Sequence, residues 1–208
     1  MNKKSVVIVG KGTSVLKSTE KYMSQFDEIA FCNFPPITGY EKYIGSKCDW
    51  MFANMWDPNL YEDDVFEKLN LKHLVNTHPN PKDDCISLTQ KYGGTYVSDY
   101  GQKNIPLFKN NFGFDPSTGI QAYYYFVQHE EYDTIGLVGF DNFKVGEKAY
   151  YYSVDEVQHS LRYLYSDGDT AYTKDGIRKE ESKHGTTKNV DKYISDMGKL
   201  FNVKIKRP

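Results

Sequence analysis

The stretch Val6-Val7-Ile8-Val9-Gly10-Lys11-Gly12-Thr13-Ser14 decides the fold. Four consecutive β-branched residues favour an extended chain, and a run with no polar alternation belongs to a strand buried on both faces. Gly10 and Gly12 end it in a tight turn whose backbone can come close to a ligand. Thr13 or Ser14 is then placed to cap a following helix, leaving the first N–H groups of that helix for an anion. A first strand of this kind sits in the middle of a parallel sheet, with a nucleotide site at its carboxyl end.

Outward from that strand, helical and extended patterns alternate. Val15 to Gln25 reads as a helix and Glu28 to Asn33 as a second strand, stopped by Pro35, Pro36 and Gly39. Asp49 to Asn54 is a third apolar run ending in asparagine, as the second does. Residues 58–70 read as a helix, His73 to Thr77 as a strand, 81–92 as a helix and Thr95 to Ser98 as a short strand. Pro116 to His129 is the best amphipathic helix, with Pro116 at its start and Ser117 or Thr118 as its cap. Thr134 to Gly139 is a further buried strand, running out into Phe140-Asp141. From Lys144 to Lys183 the periodicity gives way to charged, tyrosine-rich sequence, read as a partly helical lid or insertion. Asn189 to Phe201 closes as a helix and Val203 to Lys206 as a last strand. The class is therefore α/β with a mostly parallel central sheet, in a single domain over residues 1–208.

Composition narrows the function classes. A chain of 208 residues builds one sizeable core and not two comfortable ones. A net charge of −2 and a pI near 6.2 supply no broad basic face for nucleic acid. The 18 tyrosines offer flat contact area with a hydroxyl, which suits carbohydrate or nucleotide as well as a core rim. Cys32, Cys48 and Cys85 have an odd count and no C-x-x-C spacing, so they read as buried reduced thiols. Met1-Asn2-Lys3-Lys4 leads straight into the first strand, with no leader and no apolar span, and predicts a soluble cytoplasmic chain.

The glycine turn alone does not name its ligand. A dinucleotide fingerprint needs a third glycine where Val15 stands, and an acidic end to the second strand where Asn33 stands. The phosphate loop of nucleoside triphosphatases needs a longer spacing before Gly-Lys-Ser/Thr than Gly10-Lys11-Gly12-Thr13 supplies. The segment Asn33-Phe34-Pro35-Pro36, then Gly39-Tyr40-Glu41 and Ile44-Gly45-Ser46-Lys47, resembles the second half of the large sialylmotif of sialyltransferases. Val7 to Ser14 is similar to its first half, with Lys11 in place of the family's asparagine. Pro116-Ser117-Thr118-Gly119, an apolar helix, and Ile135 to Phe140 resemble the small sialylmotif of animal-type enzymes. Cys32-Asn33 and Lys188-Asn189-Val190-Asp191 are similar to features of the bacterial members.

The resemblance implies a Rossmann-like, GT-A-variant glycosyltransferase fold and a site for a CMP-linked sugar. Gly10, Gly12 and Ser14 would face the nucleotide, and Asn33 its ribose or base. Asn54 would lie near the donor sugar, with Ser117, Thr118 and Gly119 near its carboxylate or the nucleotide. Asp141 and Phe143 would complete the donor site, Phe143 standing where bacterial members place one of two phosphate-binding tyrosines. Tyr150, Tyr151 or Tyr152 would be the other, and Lys11 could stabilise the departing phosphate. Asp115 falls where those members carry a basic residue, and Phe34 where they carry glutamine.

Among five histidines, His73, His78 and His129 suit structural places and His159 lies in the lid. His184 precedes the last helix, where the family places its general base, a role that histidine fills near neutral pH. The reaction so implied is inverting transfer of a sialic-acid-like or Kdo-like sugar from a CMP donor to a glycan hydroxyl, with no metal or other cofactor. Two other readings stay open on sequence. Asp167-Gly168-Asp169 could clamp a divalent ion in a metal-dependent transferase, or the chain could bind a nucleotide sugar without turning it over. The oligomeric state is open, a homo-oligomer included.

Overall fold

The computed structural model describes residues 3–55, 71–80, 82–92, 100–141, 145–148, 150–152, 177–178 and 187–208. Six strands form one sheet: β1 (Lys4–Val9), β2 (Glu28–Cys32), β3 (Trp50–Ala53), β4 (His73–Asn76), β5 (Tyr132–Val138) and β6 (Lys204–Lys206). Their order is β4-β3-β2-β1-β5-β6, and every pairing is parallel. The chain steps outward from β1 through β2 and β3 to β4, then crosses back to lay β5 and β6 on the other side. The order reverses between β1 and β5, and in such sheets the carboxyl-side crevice at that point is where ligands bind.

β1 is central because its residues can be nothing else. Val6, Val7, Ile8 and Val9 are all fully buried, and alternate residues face two separate cores. Val6 and Ile8 join Cys32, Phe52 and the aromatic side of the helix following Ser117. Val7 and Val9 join Phe31, Met51, Leu74 and Met23. That two-sided burial is the physical content of the unbroken aliphatic run.

Among the described residues six α-helices flank the sheet: α1 (Glu20–Met23), α2 (Glu41–Ile44), α3 (Asp83–Tyr92), α4 (Tyr100–Phe112), α5 (Thr118–Gln128) and α6 (Thr187–Leu200). The expected helix from Val15 to Gln25 is two pieces. A 3-10 turn runs over Thr13–Lys17, Ser18 is extended, and Thr19 caps α1 by accepting from Tyr22 N–H. The cap at Thr19 outcompetes helix continuation through Ser18-Thr19. Helix α4 has no counterpart in the sequence reading, because Pro106 lies inside it and signals a break. Helix α5 is not an amphipathic surface helix: nine of its eleven residues are buried. It lies between the sheet and two other helices, tied by Tyr123 Oη to the Ile194 carbonyl (2.7 Å) and by Tyr100 Oη to the Gln121 carbonyl (2.7 Å).

Most of the lid expected over 144–183 lies outside the described residues, as do the helix expected at 58–70 and the strand at 95–98. The described part includes Tyr151 and Tyr152, both buried in the second core. An antiparallel bridge joins Lys148 to Ile177. Cys32, Cys48 and Cys85 are buried free thiols, as expected. Among the described residues, no helix is long and apolar enough to cross a membrane.

The amino ends of the strands carry two carboxylates matched by lysines. Glu28 Oε2 accepts from Trp50 Nε1 and Tyr132 Oη, both at 2.6 Å, while Oε1 accepts from Lys4 Nζ at 3.0 Å. Asp49, 1 % exposed, accepts from Ile29 N–H (2.9 Å), Lys47 Nζ (2.8 Å) and Lys72 Nζ (2.6 Å). Burial alone would raise the Asp49 carboxyl, but the hydrogen bonds from Lys47, Lys72 and Ile29 outweigh it and hold the group below its ordinary value. A depressed folded-state value means that the pair stabilises above the unfolded carboxyl value near 4 and that this is lost as pH falls through the folded one. Asp49→Asn should cost about 1–3 kcal/mol at pH 7 by urea unfolding. Between about pH 4 and 2 the variant should lose less stability than the wild type, and parallel profiles would count against the pair.

Candidate functional site

The carboxyl ends of β1 and β5 meet through glycine. Gly10 N–H donates to the Val138 carbonyl (2.8 Å) and Gly12 N–H to the Gly139 carbonyl (3.0 Å). A Cβ on Gly10 would lie 2.6 Å from the Gly139 carbonyl oxygen. Gly139 itself takes a positive φ of 72°, which a side chain would strain. The loop then does something the sequence does not announce. Asp141 Oδ2 accepts from Ser14 N–H (2.8 Å) and from Thr13 Oγ1 (3.3 Å), and a Cβ on Gly12 would fall on the same carboxylate. The N–H group expected to face an external anion is held by the chain's own aspartate. Neither Thr13 nor Ser14 caps the turn; Gly12 occupies the cap position, with no side-chain bond.

Asparagines end the next three strands and lock them to one another. Asn33, just past β2, sits in the left-handed region (φ 56°), as does Phe34 (φ 46°). Asn33 Oδ1 accepts from Asn54 N–H (2.8 Å), and its Nδ2 donates to Thr118 Oγ1 (3.1 Å). Asn76, at the end of β4, bonds both ways with Met55, from Nδ2 to the carbonyl (2.9 Å) and from the N–H to Oδ1 (3.2 Å). Thr77 Oγ1 lies 3.5 Å from Thr118 Oγ1. Ser117 caps α5 by accepting from Ile120 N–H, and Gly119 leaves room for the Phe140 ring, 3.0 Å from where a Cβ would stand.

A tyrosine strap closes the other side. Tyr151 N–H donates to the Lys11 carbonyl (3.0 Å), and its hydroxyl donates to the Pro36 carbonyl (2.9 Å). Its ring packs edge-on against Tyr40, with centroids 4.7 Å apart. Lys11 Nζ stands 4.7 Å from the centroid of the Tyr150 ring, a cation–π distance. The Lys11 charge reaches Cys32, whose thiol burial nonetheless pushes up to about 12.

Gly10, Lys11, Gly12, Ser14, Asn33, Asn54, Ser117, Thr118, Gly119, Asp141, Tyr150 and Tyr151 are thus linked, directly or through neighbours, at the carboxyl end of the sheet. Three solved structures share this architecture. Two are structures of the sialyltransferase CstII from Campylobacter jejuni: one with the substrate analogue CMP-3FNeuAc (TM-score 0.62, 15% identity, 98% of this chain and 81% of that one) and one with cytidine-5'-monophosphate (0.57, 15%, 100% and 80%). The third is sialyltransferase CST-II with trisaccharide acceptor and CMP (0.58, 15%, 98% and 80%). The chain has the fold of CstII. No protein-family model and no curated protein sequence matches it.

His184, His159, Phe143 and Asp167-Gly168-Asp169 lie outside the described residues. The other three histidines have structural surroundings. His73 stacks on Trp50 at the amino edge (3.8 Å), and His129 Nδ1 lies 2.9 Å from the Tyr125 carbonyl oxygen. His78 Nδ1 accepts from Asn80 N–H (3.1 Å), and burial lowers its pKa. Among the described residues, no three His, Cys, Asp or Glu side chains cluster as a metal site would need. Sequence reasoning missed Asn76 and Thr77. The signal was available, because Asn76 repeats the strand-end asparagine of Asn33 and Asn54.

The Asp141 staple predicts coupled substitutions. Asp141→Ala should cost about 1–2 kcal/mol by removing the acceptor for Ser14 and Thr13. Gly12→Ala should cost about 1–3 kcal/mol by overpacking the turn. In the Asp141→Ala background the Gly12→Ala cost should shrink without vanishing, since the Gly139 carbonyl stays 2.8 Å from the new Cβ. Strict additivity in chemical unfolding would refute the staple.

Proposed function

We propose that this chain is a glycosyltransferase that draws a sialic-acid-like or Kdo-like sugar from a CMP donor and passes it to a glycan hydroxyl. The supporting observation is the strand-end knot of Asn33, Asn54 and Thr118 beside Lys11, at the switch point of a fold whose solved examples hold CMP and a CMP-sugar analogue. A neutral amide–hydroxyl knot and one ammonium suit a nucleotide monophosphate: the knot fixes geometry, and the ammonium supplies charge where it develops.

In the proposed reaction the acceptor hydroxyl, deprotonated by His184, attacks the anomeric carbon as the bond from that carbon to the phosphate oxygen breaks. The configuration inverts and CMP leaves with the electron pair. Lys11 and Tyr150 take up charge on the phosphate. Tyr150 suits this better than Tyr151, whose hydroxyl donates to the Pro36 carbonyl and whose ring is buried. Asp141 serves the loop rather than the ligand, its carboxylate being spent on Ser14 and Thr13. With phosphate charge met by side chains, the reaction needs no metal, and transfer should survive EDTA.

A thermal-shift panel of CMP, CDP, UDP, GDP and NAD tests the nucleotide, since a ligand that binds only the folded state raises apparent stability by mass action. CMP should give the largest shift, and Lys11→Ala should diminish it. A larger shift with any other nucleotide would reject the donor class.

His184→Ala should slow transfer about 10²–10⁴-fold, the range for losing a general base, with CMP affinity nearly unchanged. His159→Ala, assayed in parallel, should retain transfer. The reverse pattern would move the base into the 144–183 segment.

A further inference from the structure

The outer edge of the sheet at β6 combines an open ladder with a groove. β6 is last in the strand order, and among the described residues no strand lies beyond it. Alternate main-chain N–H and C=O groups of such an edge point outward without a ladder partner. Where α6, β6 and the start of β5 meet, a groove of about 960 Å³ opens beside this edge. Its apolar lining is Ile194 of α6, Val203, and Ile205 of β6. Arg207 spans it to Asp191 on α6 (2.7 Å).

The two faces of β6 differ in chemistry. Ile205 packs on the first core, the side that α6 covers. Lys204 and Lys206 share the opposite face by the strand period of two, and Lys206 Nζ stands 5.6 Å from the Phe26 ring centroid, on the second core. Next to the groove, Leu200 is 73 % exposed and Phe201 40 %. The turn that presents them is fixed, with Phe201 N–H donating to the Met197 carbonyl (3.0 Å) and Val203 N–H to the Gly198 carbonyl (2.8 Å). Lys3, Lys199, Lys204 and Arg207 line the groove against Asp133 and Asp191, and Asp191 is matched by Arg207. This edge is therefore locally basic in a chain whose net charge is −2.

Two lysines in a three-residue strand select the occupant. A second copy paired edge to edge would set lysine against lysine, which opposes self-association. An acidic strand meets attraction at the same positions. We propose that the β6 edge docks an extended acidic segment of a partner protein, added beside β6 as a further strand. Its alternate apolar side chains lie beside Ile205 in the α6 groove, and the carboxylates between them face Lys204 and Lys206. The proposal does not depend on the donor reading, because the docking edge and the carboxyl-end site share no residue.

The probe is a capped, fluorescently labelled peptide of about eight residues alternating glutamate and valine, titrated into the full chain and read by anisotropy. It should bind saturably, and more weakly as salt is added. Serine in place of its valines should weaken it about tenfold, and lysine in place of its glutamates should abolish binding. Lys204→Glu combined with Lys206→Glu should reverse the preference, losing the glutamate peptide and gaining the lysine one. Should that pair fail to fold, Lys204→Gln with Lys206→Gln should weaken the glutamate peptide about tenfold without gaining the other.

The decisive reading is the main chain. An added strand bonds to β6 through one alternate set of its amides, while the other set faces solvent. Of two peptides N-methylated on every glutamate or on every valine, one should bind like the parent and the other should fail. Equal affinities, or equal losses, would mean adhesion by charge and overturn the proposal. Failure of the wild-type chain to bind the parent peptide overturns it as well. Binding instead to vesicles of anionic phospholipid, lost in Leu200→Ser with Phe201→Ser, would give this edge to a membrane surface and end it.

Discussion

Backbone contact between the carboxyl ends of β1 and β5 is the constraint on which the geometry of the candidate site depends. Gly10 and Gly139 face one another so closely that a Cβ on either would meet the other's backbone, at 2.6 Å and 2.8 Å respectively. Two strands that diverge after their last ladder bond normally leave a gap for side chains. Here the loops stay in touch through the Gly12 N–H to Gly139 carbonyl bond, and the next residues of β5 are brought against the β1 turn. Asp141 reaches Ser14 N–H only because Gly12 leaves its space empty. The aspartate then holds the turn in its short 3-10 form, and Lys11, at the turn's start, is presented to Tyr150. Removing the glycine contact would shift every one of these groups together.

The sequence carried the architecture in its strands and concealed parts of the site in its loops. The run Val6–Val9 announced a strand buried on both sides, and the asparagines after β2 and β3 stand where the strand ends are tied together. Glycine spacing correctly signalled close approach at Gly10 and Gly12, but spacing says nothing of what approaches. The partners are a carbonyl and a carboxylate of the same chain, 127 to 129 residues away. Local signals also competed. Thr19 as a cap won over helix continuation, and Pro106 hid a helix whose burial through Tyr100 and Phe108 outweighs the lost backbone bond. Period alone did not show that Tyr151 and Tyr152 are buried.

The two ends of the sheet divide electrostatic labour. At the amino end, Glu28 and Asp49 are ionised, multiply hydrogen-bonded and matched by lysines, an arrangement that stabilises but offers nothing to an anion. At the carboxyl end, Asn33, Asn54, Asn76, Thr77 and Thr118 are neutral groups able to donate as well as accept. Their mutual bonds hold Asn33 and Phe34 in left-handed backbone, a conformation that costs about 1–3 kcal/mol per residue. Such strain persists only where the surroundings over-determine it, and here three separate elements do so through one side chain.

That division also sets the surroundings of Lys11. Close to the β1 turn, Asp141 spends an oxygen on Ser14 N–H and Thr13 Oγ1. Neutral amides and hydroxyls set the geometry of the knot, and the Lys11 ammonium lies over the Tyr150 ring. A charge in a partly desolvated cleft acts on an incoming anion far more strongly than the same charge on a wet surface. An asparagine at position 11 would remove that charge and its contact with the Tyr150 ring. With lysine there, the chain combines a fixed hydrogen-bonding frame with a cation seated on an aromatic ring.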